Sequence, residues 1–156
     1  MSQITYLMGD ATCPQAKGLK VICHVCNDIG GWGKGFVLAV SRRWPEPGAA
    51  YRAWYSSGEG FALGAVQFVQ VESHIWVANM LGQRGIRRGS SGPPIRYDAI
   101  AACLKTVAGK ARELGASVHM PRIGCGLAGG EWSKVEPLIE EHLCRRGVPV
   151  TVYDFE

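Results

Sequence analysis

Short runs of apolar residues, several of them alternating with polar ones, predict six β-strands along the chain. These strands are expected at residues 4–8, 19–26, 65–71, 75–81, 117–120 and 148–155. Residues 19–26 are nearly all apolar, which is typical of a central strand buried on both faces. Residues 65–71 alternate, and a turn near Glu72-Ser73 joins them to the next strand.

Helical spacing predicts four helices between these strands. Three are expected at residues 36–44, 47–56 and 97–114, and the fourth has Val135, Leu138, Ile139 and Leu143 on one face. The helix at 97–114 is the clearest, because its apolar residues recur at helical intervals and Gly115 follows its last turn. Ser133 and Glu136 have the S-x-x-E spacing of a capping box, so we expect them at the start of the fourth helix.

The order of these elements predicts an α/β fold with one six-stranded, mixed but mostly parallel sheet and helices on both faces. The chain has 156 residues, of which 47% are apolar and 19% are charged. That length and composition suit a single domain, residues 1–156, with a sizeable core.

Charge and apolar content narrow the classes of function. No apolar stretch is long enough to span a membrane, and the N-terminus lacks a basic region followed by an apolar run. We therefore expect a cytoplasmic protein without a membrane partner. The net charge of +4 favours an anionic ligand but is too small to require nucleic acid. Residues 83–96 are rich in arginine, and they form either a solvated loop or a contact for an acidic partner.

The six cysteines are expected to be reduced thiols in such a compartment. Cys23 and Cys26 form a C-x-x-C pair, but within a strand their side chains point to opposite faces and cannot hold one metal ion. The four histidines are scattered along the chain. The sequence therefore predicts neither a metal site nor a cofactor.

Two glycine-rich segments occupy equivalent positions in the predicted fold. Residues 27–35 (NDIGGWGKG) and 123–130 (IGCGLAGG) each leave the carboxyl end of a predicted strand and enter a helix. Open α/β sheets bind ligands at that position, and glycine lets backbone N–H groups approach an anion closely. Residues 124–129 match the G-x-G-x-x-G fingerprint of dinucleotide enzymes, but only one strand follows, which argues against a dehydrogenase. The two segments together favour a ligand with adjacent phosphates.

These segments and their flanks resemble macrodomains, the modules that bind ADP-ribose, over essentially the whole chain. The similar motifs are ITY with GD within residues 4–10, HVCND at 24–28, GKG at 33–35, MPRIGCGL at 120–127 with Trp132, and VY at 152–153. They are most similar to the branch that contains the macrodomain of the chromatin remodeller ALC and the terminal ADP-ribose protein glycohydrolase. The resemblance implies a three-layer α/β/α fold.

The resemblance also implies which residues contact the ligand. Asp10 would accept the adenine amino group, with Ala11 beside it, and Phe155 or Tyr153 would cover the ring. The diphosphate and distal ribose would lie against Gly31, Gly33, Lys34, Gly35, Ile123, Gly124, Cys125, Gly126, Leu127 and Ala128. Gln83 would close over the distal ribose. A reactive Cys125 thiolate would need a nearby base, which the sequence does not reveal, so packing is the preferred role for it.

The branch's glycohydrolase uses a lysine at the end of the fourth strand and an acid after G-C-G-L, where this chain has Met80 and Ala128. Both departures remove the groups for covalent attack and proton transfer. Hydrolysis would then need a water that Asp28 or the diphosphate polarises and Asn27 orients. Asp28 is equally suited to fixing the loop through backbone N–H groups. Lys34 would neutralise phosphate, replace the nucleophile or extend into water.

Our first hypothesis for function is a hydrolase that removes mono-ADP-ribose from acidic side chains of modified proteins. The alternatives are a module that reads ADP-ribose without cleaving it, and a hydrolase of small derivatives such as ADP-ribose 1''-phosphate or O-acetyl-ADP-ribose. The expected partners are ADP-ribose and ADP-ribosylated proteins, bound by a monomer without direct contact to nucleic acid.

Overall fold

The computed structural model describes residues 3–86 and 92–155, and it is built around one six-stranded sheet. The strands are β1 Ile4–Met8, β2 Lys20–Asn27, β3 Val66–Glu72, β4 Ile75–Gln83, β5 Ser117–Met120 and β6 Val150–Asp154. Their spatial order is β1-β6-β5-β2-β4-β3. All neighbouring pairs are parallel except β3 with β4, so the predicted mixed, mostly parallel sheet is confirmed.

Helices connect the strands as predicted. They are α1 Phe36–Arg43, α2 Glu46–Ser57, α3 Tyr97–Leu114 and α4 Trp132–His142, with a short 3-10 turn at Cys144–Arg146. Gly115 ends α3 in the left-handed conformation, as its place in the sequence predicts. Within residues 3–86 and 92–155, no helix combines the length and apolar character needed to cross a bilayer. Arg87 and Arg88 of the basic stretch lie outside the described residues.

The sheet has a separate apolar cluster on each face. One cluster contains Cys23, Met80 and Ile100 and packs under α3 and α4. The other contains Cys26 and Tyr51 and packs under α1 and α2. The two cysteines of the C-x-x-C pair thus lie on opposite faces, as the strand periodicity predicts.

The predicted capping box at the start of α4 is wrong. The helix begins at Trp132, one residue before Ser133, and no side chain caps its first turn. The Glu136 carboxylate instead accepts a hydrogen bond from the Tyr6 hydroxyl. The N-cap residue is Glu131, and its backbone N–H donates to the Tyr97 hydroxyl at 3.0 Å, so a distant residue takes the place of the capping-box side chain.

The predicted last strand, residues 148–155, is longer than the observed one. The backbone N–H of Val148 donates to the carbonyl of Leu143 at 3.1 Å, so this residue closes the end of the preceding helix. Pairing with β1 and β5 begins only at Val150. The start of β6 is therefore determined by where β1 and β5 can pair with it, a limit that apolar periodicity does not show.

Burial in the α4 layer leads to a stability prediction. Ile139 is fully buried in the cluster under α3 and α4. We expect Ile139→Ala to lower the free energy of unfolding by about 2–5 kcal/mol, because it leaves a cavity. Urea denaturation followed by circular dichroism measures this change, with the exposed neighbour Glu140→Ala as control. Equal midpoints for the two variants would contradict the assigned packing.

Candidate functional site

The loops that follow the neighbouring strands β2 and β5 leave the same edge of the sheet, and we call the space between these loops the crevice. The two strands are parallel neighbours, with Ile22 opposite His119. Loop 1 (residues 28–35) leads from β2 to α1 on one face, and loop 2 (residues 121–131) leads from β5 to α4 on the other. A parallel sheet whose connections diverge in this way binds ligands at the point of divergence.

The two loops meet at this crevice. Gly35 has a φ of +82°, and a Cβ atom there would lie 3.3 Å from Cδ1 of Leu127. Leu127 is 63% exposed, so its contact with loop 1 lies at the surface. The predicted juxtaposition of the two glycine-rich segments is therefore present in the structure.

Loop 1 contains a run of unpaired backbone donors. The N–H groups of Trp32, Gly33, Lys34 and Gly35 donate to no described residue. Helix α1 begins directly after them, without a side-chain cap and without an acidic residue in its first turn. The free N–H groups and the positive end of the helix both favour an anion at this position.

Loop 2 contains a second run of unpaired backbone donors. Its turn is closed by hydrogen bonds from Gly129 N–H to the Gly126 carbonyl, 3.0 Å, and from Gly130 N–H to the Gly124 carbonyl, 2.7 Å. The N–H groups of residues 126–128 donate to no described residue. A Cβ atom on Gly126 would meet nothing within 4 Å, so open space adjoins this backbone. Two runs of unpaired donors thus lie at the same edge of the sheet.

The remaining predicted residues of loop 2 anchor it. Ile123 and Ala128 are buried in the apolar cluster under α3 and α4. A Cβ atom on Gly124 would lie 2.5 Å from Ile95, which shows how closely the loop packs. The half-buried Cys125 thiol donates to the Ile123 carbonyl at 3.4 Å, and burial raises its pKa. A neutral, packed thiol agrees with the preferred interpretation of this cysteine.

Asp10 follows β1 at one end of the crevice. Its Oδ1 accepts hydrogen bonds from the N–H of Thr12, 2.8 Å, and from the Thr12 hydroxyl, 2.7 Å. In the described part of the chain nothing donates to Oδ2. The carboxylate is therefore held by one oxygen and can accept an N–H from a ligand with the other. Ala11 beside it is buried.

Of the two aromatic candidates near Asp10, only Phe155 is accessible. It is 80% exposed and follows Asp154, whose carbonyl accepts the N–H of Gly9 at 2.9 Å. Tyr153 is buried, and its hydroxyl bonds to the ring of His119 at 2.8 Å. Tyr153 is therefore a core residue, and Phe155 is the side chain free to cover a ring.

Asn27 shapes loop 1. Its Oδ1 accepts the N–H groups of Ile29 and Gly31, both at 3.0 Å, and the Tyr51 hydroxyl at 2.9 Å. The oxygen that would accept a proton from a water molecule is thus already occupied. The geometry favours a structural role for this side chain over the predicted orientation of water.

Asp28 and Gln83 hold the segment after β4. Asp28 Oδ1 accepts the N–H of Gly85 at 2.7 Å, and Gln83 Nε2 donates to the Gly85 carbonyl at 2.8 Å. These bonds favour the loop-fixing interpretation of Asp28, although no described residue donates to its Oδ2. Gln83 is buried and directed at its own segment, an arrangement that does not favour closure over a ribose.

The two positions at which the branch's glycohydrolase has a lysine and an acid lie in the core of this chain. Met80 is fully buried and Ala128 is 4% exposed, and both belong to the apolar cluster under α3 and α4. Lys34 in loop 1 is exposed and forms no ion pair with a described residue. Loop 1 therefore carries an exposed cation without an ion-pair partner among the described residues, and the two family positions hold no lysine and acid pair.

Tyr51 and Trp32 support the site and were not identified from the sequence. The Tyr51 hydroxyl accepts the N–H of Gly30 at 3.1 Å, and its ring lies 5.3 Å from that of Trp32. Trp32 Nε1 donates to the Ser41 hydroxyl at 2.7 Å. In the sequence Tyr51 is one aromatic residue of a helix, and only its distance from loop 1 in space reveals its role.

Comparison with curated proteins relates the chain to one part of larger molecules. It is 32% identical, over 99% of its own length, to the mouse (Mus musculus) chromodomain-helicase-DNA-binding protein 1-like, and it spans 18% of that protein. It spans 15% of the zebrafish (Danio rerio) relative of the same name. It is also 23% identical to an ADP-ribose 1''-phosphate phosphatase of Meyerozyma guilliermondii, covering 91% of this chain and 95% of that protein. No family model matches the chain.

Solved structures share the fold, two of them along nearly their whole length. A macrodomain protein from Streptomyces coelicolor is 64% identical, with a TM-score of 0.88 over 97% of this chain and 99% of its own. A protein of unknown function from Bacteroides thetaiotaomicron is 60% identical, with a TM-score of 0.97 over 98% of both chains. Thermosipho africanus DarTG in complex with ADP-ribose is 22% identical, with a TM-score of 0.72 over 88% of this chain and 38% of its own, and shares the fold.

Proposed function

This chain belongs to the macrodomain family, and from that premise we propose that the crevice between loop 1 and loop 2 binds ADP-ribose. The observation that supports this proposal most directly is the pair of unpaired N–H runs, residues 32–35 and 126–128, on loops that touch. A diphosphate has adjacent anionic groups that two neighbouring runs of donors can satisfy together.

The chemistry at the other end of the crevice favours adenine. A carboxylate only accepts hydrogen bonds, so the free Oδ2 of Asp10 suits the amino group of adenine and repels the carbonyl of guanine. In β6, Tyr153 pairs with Leu7 of β1. Phe155 lies two residues further along the chain and has an exposed ring that can stack on a base. The two features support recognition of an adenine nucleotide rather than any diphosphate.

Burial of Met80 and Ala128 supports binding over covalent hydrolysis. A nucleophile and a proton-transfer group would have to reach the distal ribose, and both positions are instead apolar and closed to solvent. We therefore propose that the chain is a binding module for ADP-ribose, free or attached to modified proteins.

A second candidate function rests on Asp28. Its carboxylate is half-buried on loop 1, fixed by Gly85 through one oxygen, with no described donor on the other. In this candidate, water attacks the anomeric carbon of the distal ribose and gives a proton to Asp28. The bond to the acidic side chain of the modified protein breaks, and its carboxylate leaves with the electron pair.

The adenine assignment predicts that Asp10→Ala weakens ADP-ribose binding. We expect a loss of about 1–3 kcal/mol in binding free energy, because the ligand amino group loses its acceptor. Isothermal titration calorimetry measures the change. Asp98→Ala, an exposed acid in the first turn of α3, serves as control and should bind like the wild type. Equal affinities for both variants would refute the role of Asp10.

The phosphate assignment predicts that Gly126→Glu abolishes binding. The new carboxylate would enter the open space beside loop 2 and repel the diphosphate. Gly109→Glu adds the same charge at an exposed position of α3, where a Cβ atom also meets nothing within 4 Å. Calorimetric binding should be lost only in the first variant. Retained affinity in Gly126→Glu would show that loop 2 does not hold the phosphates.

Release of ADP-ribose separates the two candidate functions. We expect a protein automodified on Glu and Asp to bind this chain without measurable release of ADP-ribose, as chromatography of the supernatant would show. If the wild type releases ADP-ribose and Asp28→Asn does not, the hydrolytic function is established and the proposal of a binding module without activity is overturned. ADP-ribose 1''-phosphate, tested in parallel, covers hydrolysis of small derivatives.

A further inference from the structure

We propose that Tyr51 is a positioning residue for the ADP-ribose site, because its hydroxyl fixes the turn from which the free N–H groups of loop 1 extend. The inference rests on the proposed function of the crevice. Tyr51 lies in α2 and is fully buried, so it acts through loop 1 and not by contact with solvent or ligand.

One oxygen atom of Tyr51 joins three atoms of loop 1 and its preceding strand. The hydroxyl lies 2.7 Å from the Asn27 carbonyl oxygen and 2.9 Å from Asn27 Oδ1, and it donates its proton between them. It also accepts the N–H of Gly30 at 3.1 Å. Burial raises the pKa of this hydroxyl, so it stays protonated and keeps its donor role at neutral pH.

Asn27 completes the turn that Tyr51 holds. Its Oδ1 accepts the N–H groups of Ile29 and Gly31, and its Nδ2 donates to the Gly31 carbonyl at 2.8 Å. A Cβ atom on Gly31 would lie 2.9 Å from that Nδ2, so the turn closes tightly against the amide. The first unpaired N–H belongs to the next residue, Trp32. The direction of the free donors therefore follows from the turn.

The Tyr51 ring has packing contacts that do not depend on its hydroxyl. It lies 5.3 Å from the Trp32 ring and 5.8 Å from the Phe61 ring, measured between centroids. A Tyr51→Phe variant keeps these apolar contacts and removes only the hydroxyl. Tyr55, one turn further along α2, provides the matched control, because it is 46% exposed and its hydroxyl bonds to no described residue.

The experiment compares wild type, Tyr51→Phe and Tyr55→Phe with two probes. ADP-ribose engages the whole crevice, whereas AMP has the adenine but only one phosphate and no distal ribose. For Tyr51→Phe we expect calorimetric affinity for ADP-ribose to fall about tenfold, the equivalent of one to two lost hydrogen bonds, with a smaller loss for AMP. Amide hydrogen exchange at residues 29–31 should accelerate in the free protein, since the turn opens more readily.

Each outcome decides the proposal. Unchanged exchange at residues 29–31, or faster exchange with unchanged ADP-ribose affinity, overturns the positioning role, as does an equal loss for both probes. Wild type that binds neither probe refutes the proposed function, while the exchange rates still test the turn. If Tyr51→Phe does not fold, Gly31→Ala strains the same turn against Asn27 Nδ2 and should produce the same selective loss. Normal ADP-ribose affinity in that variant overturns the proposal.

Discussion

Unpaired backbone N–H groups at one edge of the sheet are the constraint on which the site depends. The N–H groups of residues 32–35 and 126–128 have no acceptor in the described chain, and most of these residues are exposed to solvent. The two loops lead to helices on opposite faces of the sheet. Water or an anionic ligand must then satisfy the unpaired N–H groups, and the phosphate site that we propose follows from the way β2 and β5 place the two loops.

Contacts with the protein core fix the two loops that carry these N–H donors. Asn27 closes the turn of loop 1 from within, and Tyr51 holds that turn from α2. Loop 2 is anchored by Ile123 and Ala128 in the opposite apolar layer. Each loop is thus anchored to the core of a different face, and such anchoring reduces the conformational entropy that ligand binding would cost. Packing of the two hydrophobic layers consequently determines where the two loops of the proposed site lie.

Local periodicity was enough to predict much of the fold. The bounds of β1, β5 and α3 are those expected from apolar spacing, because burial of one face or stripe determines them. The capping box at Ser133 and the ends of β6 were predicted wrongly, since contacts from distant residues decided them. The placement of both loops followed from the strand order, whereas the hydrogen bonds of Asn27 and Asp28 to Tyr51 and Gly85 did not. Those partners lie 24 and 57 residues away along the chain.

The most direct test of the central claim is to follow the backbone amides during a titration of the isotopically labelled protein with ADP-ribose by NMR. We expect the amide resonances of Trp32–Gly35 and of residues 126–128 to move most, because their N–H groups gain a charged acceptor. Saturating binding that leaves both sets unmoved, with the largest shifts elsewhere in the chain, would contradict the claim that these two loops hold the diphosphate.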